Sequence, residues 1–396
     1  MSKAAAPITN AAPSPRLDRI GVLVALAVLS ALALPFVTFR ANRIVPAGHG
    51  LTVLASFPCT LAALAIAGWL AAVAFALLPG RPLLRALAGI AALAWLGYWL
   101  GAAPARLVDA DSGAIARISP AAGAWLLLFA FAVLIADAVA RLDLSPARRV
   151  LALVAALAAV GAALASGIWD GLSVMQEYAG RADTFWTEAL RHLELVAGST
   201  FAAFAVALPL GIGCTHRPAW RVTLMPALNV VQTIPSIALF GILMVPLGLL
   251  AAHLPLAAAL GISGIGPVPA LVALFLYALL PIVSSVVVGI DRVDPGVVEA
   301  AAAMGMTRRQ RVLGIELALA LPVILAGLRI VLVQNVGLAA VAALIGGGGF
   351  GTFIFQGLGQ AATDLVLLGA LPTIALAFVI SVLFNAAIQL TQGSQA

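Results

Sequence analysis

The sequence predicts an all-α polytopic membrane protein with about ten transmembrane helices. Of its 396 residues, 63% are apolar and only 9% are charged, and the mean hydropathy is +1.14. Soluble globular domains do not have this composition. The apolar residues fall into runs of about 20, which is the length that an α-helix needs to cross the hydrocarbon of a bilayer. We therefore expect the chain to lie in a membrane, with its charges between the runs.

Residues 1–169 are predicted to form an N-terminal membrane block of about five helices. The first apolar run, Ile20–Phe39, is long enough to span, and no small-residue cleavage site follows it, so a retained anchor is favoured over a signal peptide. The other predicted spans of this block cover residues 58–78, 83–103, 122–140 and 149–168. No motif identifies the role of the block, which leaves an extension, a scaffold and a regulatory element open.

Residues 170–192 mix charges with aromatic residues and are predicted to form an amphipathic segment at the membrane interface. Residues 193–396 then form a second block of about five spans. These cover residues 193–213, 222–249, 266–290, 321–346 and 365–390. An even number of spans places both termini on one side of the membrane.

The distribution of basic residues predicts the orientation. With the N-terminus in the cytoplasm, 14 basic residues lie in inside segments and 6 in outside segments. The inside set includes Lys3, Arg16, Arg85 and Arg141, and the outside set includes Arg43. This bias follows the positive-inside rule and predicts that both termini and the segment around Glu299 are cytoplasmic.

Polar and proline residues interrupt two spans of the second block. Proline removes a backbone hydrogen bond, and such breaks are tolerated where the helix is buried in protein or lines a watery cavity. Polar side chains at membrane depth either join helices or line a path for a polar solute. The residues that are candidates for a translocation path are Asn229, Gln232, Pro235, Ser236, Gln334 and Asn335.

Charges inside spans have plainer interpretations than a transport role. Asp137 lies one turn before Arg141, so an ion pair is favoured over a proton relay. Arg329 should face protein or water, or extend to the inner headgroups. The run Gly346–Gly349 has no neighbouring lysine, and it predicts a flexible turn that leads into an outer re-entrant or interfacial segment.

Residues 293–322 have the local signals of two short helices joined at a glycine. Asp294 can cap a helix that begins at Pro295, because proline gives up an amide that has no partner there. Gly305 is placed for the left-handed residue that ends this helix. Thr307 and Gln310 have the spacing of a capping box, which predicts the start of a second helix.

This stretch resembles the cytoplasmic loop of ABC importer permeases. Its pattern is matched by Glu299, Ala300 and Ala301, by Gly305 six residues after the glutamate, and by Ile315 and Leu317. The proline usual after this leucine is absent, and a Leu-Pro pair comes instead at residues 321 and 322. The resemblance covers about residues 190–390. The stretches at 228–247 and 344–360 look most like the osmoprotectant branch, whose substrates include glycine betaine, carnitine and choline.

The resemblance implies a five-helix type I ABC importer core with a coupling loop at residues 291–320. In that loop, the residues expected to meet the ATPase are Glu299, Ala300, Ala301, Gly305, Thr307, Arg308 and Arg309. It also implies a bacterial inner-membrane location and partners: ABC ATPase subunits, a second permease copy or paralogue, and a periplasmic or lipid-anchored substrate-binding protein. The chain itself is expected to bind no cofactor, because ATP and Mg²⁺ belong to the ATPase.

Several other functions are disfavoured by the residues themselves. Lys3 is the single lysine, so no Walker A loop can be built. Dispersed arginines argue against nucleic-acid binding, and the cysteines and histidines have no metal-site spacing. An ion-gradient-driven secondary transporter would want carboxylates within the core spans, and an intramembrane enzyme would want a nucleophile with a base. A non-transporting membrane scaffold is opposed by the coupling loop alone.

Overall fold

The computed structural model describes residues 18–42, 48–78, 81–108 and 115–393. Lys3, Arg16 and Arg43, which were counted for orientation, lie outside these ranges. Within them, nine helical runs are long and apolar enough to cross a membrane: Cys59–Leu77, Pro82–Leu107, Ala122–Arg141, Pro146–Ala165, Ala182–His216, Ser236–His253, Pro267–Asp291, Arg308–Ile345 and Thr363–Gln392. The prediction of a helical, polytopic membrane protein is confirmed.

The chain divides into two compact units. One comprises Met1–Leu144 and Ala163–Ser173, and the other comprises Ser145–Ala162 and Val174–Ala396. The helices of the first unit are α1 (Arg19–Ala33), α2 (Val53–Ser56), α3 (Cys59–Leu77), α4 (Pro82–Ala102), α5 (Pro104–Leu107) and α6 (Ala122–Arg141). Helix α7 (Pro146–Ala165) begins in the second unit and ends in the first.

The first unit contains a small antiparallel sheet that the sequence did not predict. Its strands are β1 (Val37–Arg40), β2 (His49–Leu51) and β3 (Arg117–Pro120), in the order β2-β1-β3. The sheet also corrects the first predicted span. Helix α1 has 15 residues and ends at Ala33, because Leu34 is extended before Pro35 and the chain then enters β1.

Four charged residues at one end of the first unit connect three of its helices. Asp18 caps α1 by accepting hydrogen bonds from the amides of Ile20 and Gly21. Its carboxylate also pairs with Arg85 of α4 at 2.8 Å and with Arg141 of α6 at 2.7 Å. The predicted pair between Asp137 and Arg141 is present at 2.9 Å, and Asp137 also lies 3.1 Å from Arg85. The side chain of Arg85 is only 1% exposed. Its buried positive charge is therefore compensated by the carboxylates of Asp18 and Asp137.

The helices of the second unit begin with α8 (Ser173–Ala179). They continue with α9 (Ala182–His216), α10 (Pro218–Thr233), α11 (Ser236–His253), α12 (Pro255–Ala259), α13 (Pro267–Asp291), α14 (Pro295–Ala303), α15 (Arg308–Arg311), a π-turn (Val312–Glu316), α16 (Leu317–Val341), a 3₁₀ turn (Ala342–Ile345), α17 (Gly351–Gly359) and α18 (Thr363–Gly393). Helices α9, α13 and α16 share one apolar cluster that includes Ala207, Val283 and Ile324. Small residues allow this close packing: a Cβ at Gly327 would lie 2.3 Å from that of Ser285.

Two predicted boundaries of the second unit are wrong. The segment 170–192 is not a separate element, because α9 begins at Ala182 and runs without interruption through His216. The span predicted at 222–249 is two helices, α10 and α11, which are separated at Ile234 and Pro235. The predicted interruption at Pro235 is thus confirmed, and a second proline, Pro246, lies inside helix α11.

Candidate functional site

The loop between α13 and α16 has the helix caps that the sequence predicted. Asp294 accepts a hydrogen bond from the amide of Gly296 at 2.8 Å and begins α14. At the other end Gly305 has φ +84°. Its amide donates to the carbonyl of Ala302 at 3.0 Å, and the amide of Met306 donates to the carbonyl of Ala301 at 3.1 Å. These two bonds form a Schellman motif, which requires the left-handed residue that glycine supplies.

The second cap is also present, but the helix that it begins is not short. The side chain of Thr307 accepts from the amide of Gln310, and the side chain of Gln310 accepts from the amide of Thr307 at 2.8 Å. Helix α15 then passes through the π-turn directly into α16, so the helical run is unbroken from Arg308 to Ile345. Pro322 lies inside α16. The prediction of two separate short helices is corrected to one short helix and one extended span.

The outer surface of this loop is exposed and carries both apolar and charged groups. Glu299, Ala300, Arg308 and Arg309 are exposed, whereas Ala301 is buried. The exposed apolar side chains are those of Val297 (42%), Met304 (77%) and Leu313 (54%). A shallow depression lies beside them, lined by Met306, Arg309, Gln310, Leu313 and Gly314. These three side chains are distributed over α14, its C-cap and the π-turn, and apolar side chains exposed together on one loop are typical of an interaction surface.

The first group of path candidates lies at the break between α10 and α11. Gln232 is half-buried and donates to the carbonyl of Tyr277 on α13 at 2.6 Å. The hydroxyl of Tyr277 donates in turn to the carbonyl of Ile234, beside the break. These bonds link the broken segment to α13, so the backbone groups that Pro235 frees are partly satisfied from a neighbouring helix.

The second group of path candidates lies on α16. Asn335 is fully buried, and its amide donates to the hydroxyls of Ser199 and Thr200 on α9, both at 3.1 Å. This geometry is an interhelical hydrogen bond, which the sequence had left open beside a transport role. Gln334, the preceding residue, is half-buried.

The two groups approach the same apolar cluster. It includes Leu239 and Phe240 of α11 together with Val336 of α16, with Ile234 packed against it. Asn229 and Pro235 are exposed and Ser236 is half-buried. The structure thus brings the α10–α11 break and α16 together around one cluster, while Asn335 faces α9.

The charge of Arg329, inside α16, is directed toward protein. Its guanidinium donates a hydrogen bond to the side-chain oxygen of Asn385 on α18. The glycine run forms a turn in which Gly346, Gly348 and Gly349 have positive φ. The predicted turn is thus present, and the short helix α17 follows it.

Sequence reasoning missed the partners of these polar residues. Ser199 and Thr200 stand out in retrospect as the adjacent hydroxyl pair within α9, and Tyr277 as one of three tyrosines in the chain. A contact between His216 and Glu316, at 3.2 Å, had no signal at all, because the two residues are separated by many positions and neither belongs to a motif.

Both the N-terminal and the C-terminal part of the chain match protein families that are already described. Residues 207–392 match the family described as binding-protein-dependent transport system inner membrane component. The chain is 40% identical over 196 residues to the osmoprotectant import permease protein OsmW of Salmonella typhimurium, covering 49% of this chain and 86% of that protein. The chain belongs to this family of ABC transporter permeases.

Other permeases of the family match over the same part. The carnitine transport permease protein OpuCB of Listeria monocytogenes and the choline transport system permease protein OpuBB of Bacillus subtilis are each 36% identical, covering 48% of this chain and 80% of theirs. Residues 18–175 match a separate domain, described as the N-terminal domain of the ABC transporter permease YehY.

Family membership settles the general function. The chain is a multi-pass inner-membrane permease subunit of an ABC importer and forms part of its translocation path. Permeases of this family work with ATPase and substrate-binding partners. ATP hydrolysis belongs to the separate ATPase, so this chain is a transport subunit and not an enzyme.

Proposed function

We propose that this permease imports quaternary-ammonium osmoprotectants such as glycine betaine, choline or carnitine. The observation that carries the proposal is the similarity of residues in the second unit to three permeases named for osmoprotectant, carnitine and choline transport, at 36–40% identity. These relatives are covered over at least 80% of their length, so the similarity extends across the membrane core rather than one motif.

The loop 291–320 is proposed to be the surface that binds the ATPase. Helix α14 is capped at both ends, and Glu299 on this helix and Met304 at its C-cap are exposed to solvent. Because the run from Arg308 to Ile345 is continuously helical, a displacement of Arg308 and Arg309 would be transmitted through the π-turn into α16. The residues proposed to meet or position the ATPase are Glu299, Ala300, Ala301, Gly305, Thr307, Arg308 and Arg309.

The path for the solute is proposed to follow the broken α10–α11 segment and its neighbour α16. Asn229, Pro235 and Ser236 offer exposed or half-buried groups at the break, and Gln334 is half-buried on α16. Gln232 and Asn335 are proposed to hold these helices in position through Tyr277 and the α9 hydroxyls. A second permease copy or paralogue would supply the other half of the path.

The remaining proposals concern topology and partners. Both termini and loop 291–320 are proposed to be cytoplasmic, in accordance with the basic-residue bias. This topology requires one crossing in addition to the nine long apolar runs, and the shorter apolar helix α1 is proposed to supply it. A periplasmic or lipid-anchored binding protein would deliver the substrate to the opposite face. ATP and Mg²⁺ would be bound by the ATPase and not by this chain.

The test is uptake by proteoliposomes that contain the permease, its ATPase and its binding protein. The proposal predicts ATP-dependent accumulation of labelled glycine betaine, choline or carnitine, with methionine as the unrelated control solute. It would be contradicted by ATP-dependent uptake of the control alone, or by osmoprotectant uptake that follows an ion gradient in liposomes without the ATPase.

A further inference from the structure

One arginine lies at the centre of the membrane-spanning helix α16. Arg329 is the middle residue of this 25-residue helix, so about 18 Å of helix lies on either side of it. This distance is longer than an arginine side chain, so the guanidinium stays within the span and does not reach the lipid headgroups. A charge at this depth is costly, and in membrane proteins it faces protein or a watery cavity and commonly marks the path of a solute or an ion.

The contact that Arg329 makes leaves its positive charge uncompensated. Its guanidinium donates to the side-chain oxygen of Asn385 on α18, and both side chains are half-buried. An asparagine oxygen is neutral, so it accepts one hydrogen bond and supplies no negative charge. Among the residues that the structure describes, no carboxylate lies within ion-pair distance of Arg329. The acidic residues nearest to this pair along the two helices are Glu316, about 20 Å from Arg329, and Asp364, about 30 Å from Asn385.

The side of α16 that carries Arg329 also packs toward the proposed solute path. Residues three and seven positions apart lie on the same side of an α-helix, and Leu332 and Val336 hold these positions relative to Arg329. Val336 belongs to the apolar cluster that contains Leu239 and Phe240 of α11, and Leu332 packs against that cluster. Arg329 therefore lies on the side of α16 that faces α18 and the broken α10–α11 segment.

The chemistry of the guanidinium selects the kind of group that it can bind. Its planar fork of N–H donors matches a carboxylate through two parallel hydrogen bonds, and the bond to Asn385 uses only one of its five N–H groups. Glycine betaine and carnitine each carry a carboxylate besides the quaternary ammonium, whereas choline carries a hydroxyl and a net positive charge. A carboxylate therefore gains a partner of opposite charge at this position, while choline meets a like charge.

We propose that Arg329 is a specificity-determining residue that binds the carboxylate of zwitterionic solutes as they cross the membrane. Asn385 is the positioning residue that holds the guanidinium in place. Of the three solutes considered above, the membrane path then favours glycine betaine and carnitine over choline. The carboxylate site rests on the position and the contacts of Arg329, whereas the identity of the solute rests on the proposed function.

The first test detects the contact in the full-length permease by solid-state NMR, without ATPase or binding protein. Permease with isotopically labelled arginine is placed in lipid bilayers with glycine betaine labelled at its carboxyl carbon, and dephasing of that carbon by guanidinium nitrogen measures their proximity. We expect dephasing in the wild type, its loss in Arg329→Gln, and its retention in Arg217→Gln, which removes an exposed arginine. No dephasing in the wild type, or full dephasing in Arg329→Gln, would overturn the proposal.

The second test measures ATP-driven uptake of each solute by the assembled importer in proteoliposomes, with saturated binding protein so that its own preference does not limit the rate. Arg329→Gln should lower uptake of glycine betaine and carnitine by about 10- to 100-fold, the effect of losing a hydrogen bond to a charged group. Uptake of choline should stay constant or increase, which also shows that the variant is folded and coupled. Arg329→Lys keeps the charge without the planar fork and should lose less. Asn385→Ala should change the ratio of glycine betaine to choline uptake in the same direction, but by less.

The two tests separate this inference from the proposed function. A wild-type permease that contacts the carboxylate of glycine betaine but imports none of the three solutes would refute the proposed function and leave the carboxylate site intact. Import of the three solutes by the wild type, with an equal loss or no loss for all of them in Arg329→Gln, would leave the proposed function standing and refute the role of Arg329 in selection.

Discussion

Replacement of Gly305 by valine should destabilise the end of the coupling helix without creating a steric clash. The backbone at this position has φ +84°, and no atom lies within 4 Å of the Cβ that a substitution would add. The cost is therefore backbone strain alone, about 1–2 kcal/mol for a residue held in the left-handed region. This energy lowers the equilibrium ratio of capped to uncapped loop by a factor of about 5–30.

The assay is the affinity of the purified permease for its ATPase, measured in nanodiscs by fluorescence anisotropy. Gly305→Val and Gly305→Ala should weaken binding by up to about 5–30-fold, because α14 loses the Schellman bonds from Gly305 and Met306. Gly305→Asn is the matched control, since asparagine tolerates the left-handed region better than other residues, and its affinity should lie between valine and wild type.

Amide exchange gives the structural readout that must accompany the loss of affinity. The amide of Met306, which donates to Ala301 at 3.1 Å, should exchange faster in the valine variant, while amides within α13 stay unchanged. Wild-type affinity in Gly305→Val with faster exchange would show that the ATPase does not need the capped loop. Unchanged exchange would refute the assignment of the strain.

Three further predictions concern stability. Asn335→Ala removes two interhelical bonds worth about 0.6 kcal/mol each, so it should lower the melting temperature more than Gln334→Ala. Arg85→Ala removes one of the two arginines that pair with Asp18 and Asp137 and leaves Arg141 in place, so it should lower the stability measurably. Arg81→Ala, at an exposed position, should be nearly neutral, and denaturation in detergent compares the two variants. The hydrogen bond from Arg85 holds the pKa of Asp18 well below its usual range. Its stabilising effect is present above the unfolded pKa of about 3.9 and is lost as the pH falls below it. Acidification should therefore lower the melting temperature of the wild type more than that of Asp18→Asn, and equal slopes would contradict this.

Local signals in the sequence predicted the caps of the coupling loop because capping depends on neighbouring residues. Asp294, Gly305 and Thr307 each act on amides or carbonyls within a few positions, so their roles can be read without the fold. The hydropathy of the spans is similarly local, and helices such as α3 and α6 begin and end within a few residues of the predicted positions.

Continuity between helices was not predictable from hydropathy. Helix α9 extends back to Ala182 through charged residues that resemble an interfacial segment. The π-turn at Val312–Glu316 joins the loop to α16, whereas the sequence predicted a separate short helix after the cap at Thr307. In both cases the helix continues where the sequence changes from apolar to polar. The change indicates where the helix leaves the apolar part of the membrane, and not where the helix ends.

Long-range partners lay beyond sequence reasoning because they depend on how helices pack. The carboxylate of Asp18 meets Arg85 across 67 positions, and Asn335 meets Ser199 across 136. The strands of the small sheet are only three or four residues long, too short for an alternating pattern to stand out. The sequence could locate polar groups in spans, but only the structure assigns each a partner.

The central claim is that the loop 291–320 meets the ATPase, and site-specific photo-crosslinking in native membranes tests it most directly. A benzoylphenylalanine at Met304, which is 77% exposed on the loop, should crosslink to the ATPase subunit. The same probe at Trp186, which is 60% exposed and lies between Arg181 and Arg191, two of the six basic residues assigned to the outside segments, should not. Crosslinking of the ATPase from Trp186, or its absence from Met304 in membranes with active transport, would contradict the account.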